Sequence, residues 1–130
     1  MNDFARWGAP TTVAEIGQAG ERAAAEFLRR EGYELLALNW RNGRYELDIV
    51  ACKAGELHIV EVKSRRAEGW TAPEAALTPQ RQRALFHAAR AYVAWTHWEG
   101  DVRFDLAAVD CRADGSMEVR FIPDAWQSHW

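Results

Sequence analysis

Two short segments carry charge where strands are normally apolar. Tyr45-Glu46-Leu47-Asp48-Ile49-Val50 and Ile59-Val60-Glu61-Val62-Lys63 each read as a β-strand, from their β-branched and aromatic content. Alternation along the second puts Leu57, Ile59, Glu61 and Lys63 on one face and Val60 and Val62 on the other. In the first, Asp48 shares a face with Glu46, Val50 and Cys52. Burying an unpaired charge is costly, so charges at strand ends call for either a partner or a use. One reading is a structural ion pair at a sheet end. The other is chemical. Two carboxylates and a lysine at adjoining strand ends are what a metal-dependent phosphodiesterase needs. The carboxylates of Asp48 and Glu61, with the backbone carbonyl of Val62, suit a hard cation such as Mg2+ or Mn2+. Lys63 would orient or help deprotonate a water and offset charge building on the phosphate.

The surrounding sequence supplies elements to hold these groups. Thr12 and Glu15 form a capping box that opens a helix running to about Glu31 and stopped by Gly32. Val13, Ile16, Gly20, Ala23, Ala24, Phe27 and Leu28 follow helical spacing. Gly17 and Gly20 each weaken a helix by about 1 kcal/mol, which predicts close packing against that side. Glu21 lies near the same small and apolar side. Strands are predicted over Tyr33–Trp40, Tyr45–Cys52 and Glu56–Lys63, with turns at Asn42-Gly43 and Ala54-Gly55. Ser64 to Thr71 reads as a polar loop, and Pro73 as the start of a helical turn. Thr78-Pro79 caps a longer helix that ends near Gly100. Arg103–Val109 and Met117–Ile122 are the last strands, separated by a turn at Asp114-Gly115. The fourth strand follows a helical crossover, so it should pair parallel to an earlier strand. The expected organisation is a loose tail over 1–12, a domain over 13–123 and a Trp-containing tail over 124–130.

The 130 residues, 48% of them hydrophobic, are enough for one domain with a real core. No stretch is long and apolar enough to span a membrane, and Met1 to Pro10 lacks the pattern of a signal peptide. Cys52 and Cys111 form no Cys-x-x-Cys pair and read as reduced, packed thiols. These features predict a cytoplasmic protein with no membrane partner. The net charge of −3 counts against a protein that coats nucleic acid, but not against a nuclease whose basic groups are local. Local basic groups are Arg29-Arg30, Arg41 with Arg44, Lys63 with Arg65-Arg66, and Arg81 with Arg83. Arg41, Arg65, Arg66, Arg81 and Arg83 are the candidate nucleic-acid contacts, with a solvated face as the plain alternative. His58 points away from the Glu61 face, and no histidine has ligand spacing. Asp105 reads as a sheet-edge carboxylate.

A helix with Gly20-Glu21, then Asp48 on one strand and Glu61-Val62-Lys63 on the next, resembles the PD-(D/E)XK nuclease superfamily. Gly17, Ala24, Leu28, Gly32-Tyr33, Asn39, Arg41, Glu46 to Val50, Val60 to Lys63 and Arg65 sharpen the likeness, as do Gln82-Arg83, Ala89, Tyr92 and Arg103-Phe104-Asp105. With them the chain resembles the bacterial YraN-like family, UPF0102, over roughly residues 14–110. The resemblance implies a restriction-endonuclease-like α/β core, α-β-β-β-α-β, with a mixed central sheet flanked by helices. It implies metal ligation by Asp48 and Glu61, catalysis by Lys63, a supporting carboxylate at Glu21 and a polar site residue at Gln82. It also points to DNA, including branched DNA, as the partner. Two positions depart from the family pattern: Tyr45 stands where glycine is usual, and Arg81 where lysine is usual. Arginine keeps the charge but is a poorer proton acceptor. The resemblance to resolvases and the aromatic tail, with Trp126 and Trp130, suggest a homodimer. The rival expectations are a nucleic-acid-binding module with little catalysis and a dimeric interaction protein.

Overall fold

Thr12 caps the first helix as predicted: its hydroxyl accepts from the Glu15 amide at 3.0 Å. The computed structural model describes residues 10, 12–67 and 77–126. Helix α1 is Val13–Arg30, and it buries Ile16, Ala19, Gly20, Ala24, Ala25 and Leu28. It ends in a left-handed turn at Gly32 (φ 89°). There the Tyr33 amide reaches back to the Leu28 carbonyl at 2.9 Å and the Gly32 amide to Arg29 at 3.1 Å. This pair of bonds needs a residue that tolerates positive φ, which explains the glycine.

Strands β1 (Glu34–Asn42), β2 (Tyr45–Lys53) and β3 (Glu56–Arg66) form an antiparallel meander. Helix α2 (Pro79–Thr96) then crosses to β4 (Val102–Cys111), and β5 (Met117–Ile122) closes the chain order. The sheet runs β1-β2-β3-β4-β5, and β3–β4 is the parallel pair the crossover predicts. The order α-β-β-β-α-β with a mixed sheet and flanking helices is that of a restriction-endonuclease-like core. One apolar layer, with Leu57, Ile59, Leu85, Ala89, Tyr92 and Leu106, packs under α2. The other, with Ala24, Leu28, Ile49, Val60 and Val109, packs under α1.

Several boundaries differ from the sequence reading. Ser64–Arg66 continue β3 instead of opening a loop, because β4 offers a parallel partner as far as Arg66 opposite Cys111. Helix α2 stops at Thr96 and not near Gly100, since His97 takes the left-handed conformation (φ 56°). The packed chain extends past residue 123. Ala125 donates to the Phe104 carbonyl at 2.9 Å, and Trp126 lies against Phe104 with centroids 5.3 Å apart. Trp126 is thereby a core residue, not part of a free aromatic face. The expected turn at Pro73, most of the 1–12 tail and Trp130 lie outside the described residues.

The feature that positions the site is a fork in the sheet. The β2–β3 ladder runs from Lys53–Glu56 to Ile49–Val60 and stops. Beyond it, among the described residues, β2 pairs only with β1, and β3 only with β4. Asp48 and Glu61 are the first residues past the split. The alternation expected along β2 also slips here. Leu47 belongs to the α2 layer and Ile49 to the α1 layer, although residues two apart should share a face. Across the β1 ladder, Asn39 sits between the partners of Ile49 and Leu47 with φ 50°. A left-handed residue opposite Asp48 is a local source of that extra twist.

Candidate active site

Where the strands part, the amide of Val62 has no β2 carbonyl to meet. The Asp48 carboxylate takes that place, accepting from Val62 N at 2.9 Å. Asp48 thus bridges the fork and is fixed by it. Glu61, 1% exposed, is hydrogen-bonded to Asp48 from the other arm. The two carboxylates do not ionise independently. Burial, then the Glu61 hydrogen bond and charge, push the Asp48 carboxyl up to about 8. Burial also opposes ionisation of Glu61, but hydrogen bonds to Asp48 and Arg81 outweigh it and hold Glu61 below the ordinary carboxylate range. The pair therefore shares a proton that resides on Asp48 near neutral pH.

Cations surround Glu61. The Arg81 guanidinium, in the first turn of α2, grips both oxygens at 2.7 and 3.2 Å. Lys63 Nζ lies 3.8 Å from Glu61 Oε2. The Asp48–Glu61 pair opens into a cleft of about 530 Å³ between α1 and the end of β3. Ile16, Gly17 and Glu21 line it from α1, Val62 to Arg66 from β3, and Arg81 from α2. The two helix glycines play different parts. A Cβ on Gly20 would fall 1.7 Å from Ser64 Oγ, so Gly20 lets α1 sit against β3. Among the described residues a Cβ on Gly17 would meet nothing within 4 Å; Gly17 borders the cleft and does not pack against them as predicted.

The fork brings together Glu21, Asp48, Glu61, Val62, Lys63, Arg65, Arg66 and Arg81 from the residues singled out in sequence. It leaves out three. Gln82 turns its amide to the Leu77 carbonyl at 2.7 Å, so it secures the start of α2. Arg41 lies on the exposed hairpin 3.6 Å from Glu46, and Arg83 is exposed on α2 outside the cleft. Arg81 was expected to meet phosphate and instead holds Glu61. Arg65 donates to Asp110 at 2.9 Å while bordering the cleft. Sequence reasoning missed Ser64, whose buried hydroxyl has no hydrogen-bond partner among the described residues. Its only signal was its place directly after Lys63.

Among the described residues, no three His, Cys, Asp or Glu side chains form a ready cage for a metal ion. Mg2+ keeps several waters and is commonly held by one or two carboxylates. Two adjoining carboxylates, Glu61 buried and Asp48 half-buried, offer oxygen donors to one position at the mouth of the fork. The donor set fits a hard divalent cation at Asp48 and Glu61.

The mixed five-stranded sheet, split between β2 and β3 and flanked by two helices, gives the chain a restriction-endonuclease-like α/β fold. Residues 20–109 match the family described as "Uncharacterised protein family UPF0102", and the chain belongs to that family. It is similar to a UPF0102 protein of Bacteroides fragilis, 41% identical over 111 residues, covering 85% of this chain and 91% of that one. A UPF0102 protein of Porphyromonas gingivalis is 44% identical over 102 residues, 78% of this chain and 76% of its own. One from Nitratidesulfovibrio vulgaris is 44% identical over 112 residues, covering 85% and 82%. No helix among the described residues is long and apolar enough to cross a membrane.

Proposed function

We propose that this protein is a metal-dependent endonuclease that hydrolyses phosphodiester bonds in DNA. The observation that carries this reading is the pairing of half-buried Asp48 with buried Glu61 at the sheet fork, with Lys63 on the same cleft. Asp48 and Glu61 would hold Mg2+ or Mn2+, aided by the Val62 carbonyl. When bound, that ion supplies charge stabilisation for the phosphoryl group and acidifies water. The chain's own groups do the rest. The Val62 amide fixes Asp48, so the donor is preorganised. Lys63, with its side chain 37% exposed, can reach into the cleft to orient a water and to neutralise charge on the phosphate. Glu21 faces the same space from α1 and can orient that water. Arg65 and Arg66 place positive charge on the rim, where phosphates flanking the cut would lie.

The test is cleavage of labelled single strand, duplex, flap and four-way junction with Mg2+ or Mn2+. Chelator, Asp48→Ala and Lys63→Ala serve as controls. Cleavage lost in all three controls supports the nuclease and identifies its substrate. Salt-sensitive binding without cleavage, from folded protein, would select a nucleic-acid-binding module instead.

A further inference from the structure

Arg81 is out of place for a phosphate-binding residue. Its guanidinium is turned inward onto the two oxygens of Glu61, the most deeply buried carboxylate of the cleft. Those oxygens are the ones a cation at this position would need. Arg81 is also less anchored than the pair it holds, with its side chain 36% exposed. It borders a second pocket of about 250 Å³, lined also by Arg44, Tyr45, Glu46 and His87. Glu46 attracts it from that side, and the Glu46 side chain is 56% exposed. The guanidinium therefore has a second position to occupy, beside Glu46, which Arg41 approaches only loosely at 3.6 Å.

We propose that Arg81 is the resident counter-ion of the metal position: it holds Glu61 when no cation is present and leaves for the second pocket when a divalent cation enters. This rests on the metal-dependent reading of the site. The physical reason is competition. Glu61 cannot give the same lone pairs to a bidentate guanidinium and to an ion. Leaving Glu61 buried and unpaired in the empty site would be costly, so a replaceable partner is needed. Arginine suits the task, since its planar fork fills both oxygens while remaining charged.

The test uses Mn2+ binding, read from the EPR signal of the free ion, in the wild type and in Arg81→Ala. Removal of a partly exposed ion pair that competes with the metal should tighten Mn2+ binding about fivefold to tenfold. A second measurement needs no variant. In the wild type, the Nε–H resonance of Arg81, assigned by its loss in Arg81→Lys, should shift on Mg2+ addition as the Glu61 bond is lost. Equal Mn2+ affinity in both proteins, or an unmoved Arg81 signal at saturating Mg2+, would overturn the exchange while leaving the metal site standing. No Mn2+ binding to either protein would overturn the metal-dependent reading and the exchange with it.

Discussion

Asp48 and Glu61 stand on strands that separate at these two residues, and they share a hydrogen bond across the gap. The proton of that bond has a consequence for stability. Asp48 ionises near 8, well above an ordinary aspartate, so its contribution favours folding at low pH and is lost as pH rises through 8. Glu61 is lowered, so its contribution is present above the ordinary glutamate value and is lost only as pH falls through its folded value. The metal-free protein should thus lose about 1 kcal/mol between pH 7 and pH 9 from Asp48. Urea unfolding at the two pH values measures it. Asp48→Asn should flatten the slope; an unchanged slope would show that the proton lies elsewhere.

Gly20 lets α1 approach β3, with a Cβ predicted to fall 1.7 Å from Ser64 Oγ and 2.8 Å from Ser64 Cβ. Gly20→Ala should destabilise the fold by about 1–3 kcal/mol through overpacking, despite the better helix propensity of alanine. Adding Ser64→Ala removes the nearer clash and should recover part of the loss. Gly17→Ala meets no such atom and should be neutral or stabilising. Thermal unfolding of the three variants beside the wild type decides the matter.

Asp105 lies not at a sheet edge but on the interior strand β4, 1% exposed, where it accepts from the Asp124 amide at 2.9 Å and bonds His58 Nδ1 at 2.7 Å. This tie lies outside the cleft, on β4 opposite Val60, and holds the chain segment that delivers Trp126 to the core. Asp105→Ala leaves a buried amide and an imidazole without their partner, and should cost about 2–4 kcal/mol. The folded remainder should keep wild-type Mn2+ affinity. Altered metal affinity in folded Asp105→Ala would place Asp105 in the functional site.

The elements were legible because their signals are local. The Thr12 and Thr78 caps, the strand alternation and the turn residues each act within a few positions, and β5 matches its predicted span. What the sequence could not show depends on partners far along the chain. Ser64–Arg66 look like a polar loop until β4 pairs with them. Trp126 looks like a tail until Phe104 receives it. The slip at Asp48 arises from twist between two strands and leaves no mark in composition. Asp48, Glu61 and Lys63 stood out as charges within apolar strands. The grip of Arg81 on Glu61 did not, because a helix first turn rich in arginine reads as a solvated surface.

The most direct test of the account is calorimetric titration with Mg2+ at pH 7 in two buffers of different ionisation heat. If the ion occupies the fork, its entry must displace the proton on Asp48, so close to one proton should be released per ion. The release should shrink towards zero at pH 9 and binding should vanish in Asp48→Ala. No binding at either pH, or binding with no proton release at pH 7, would contradict a cation site at the Asp48–Glu61 pair.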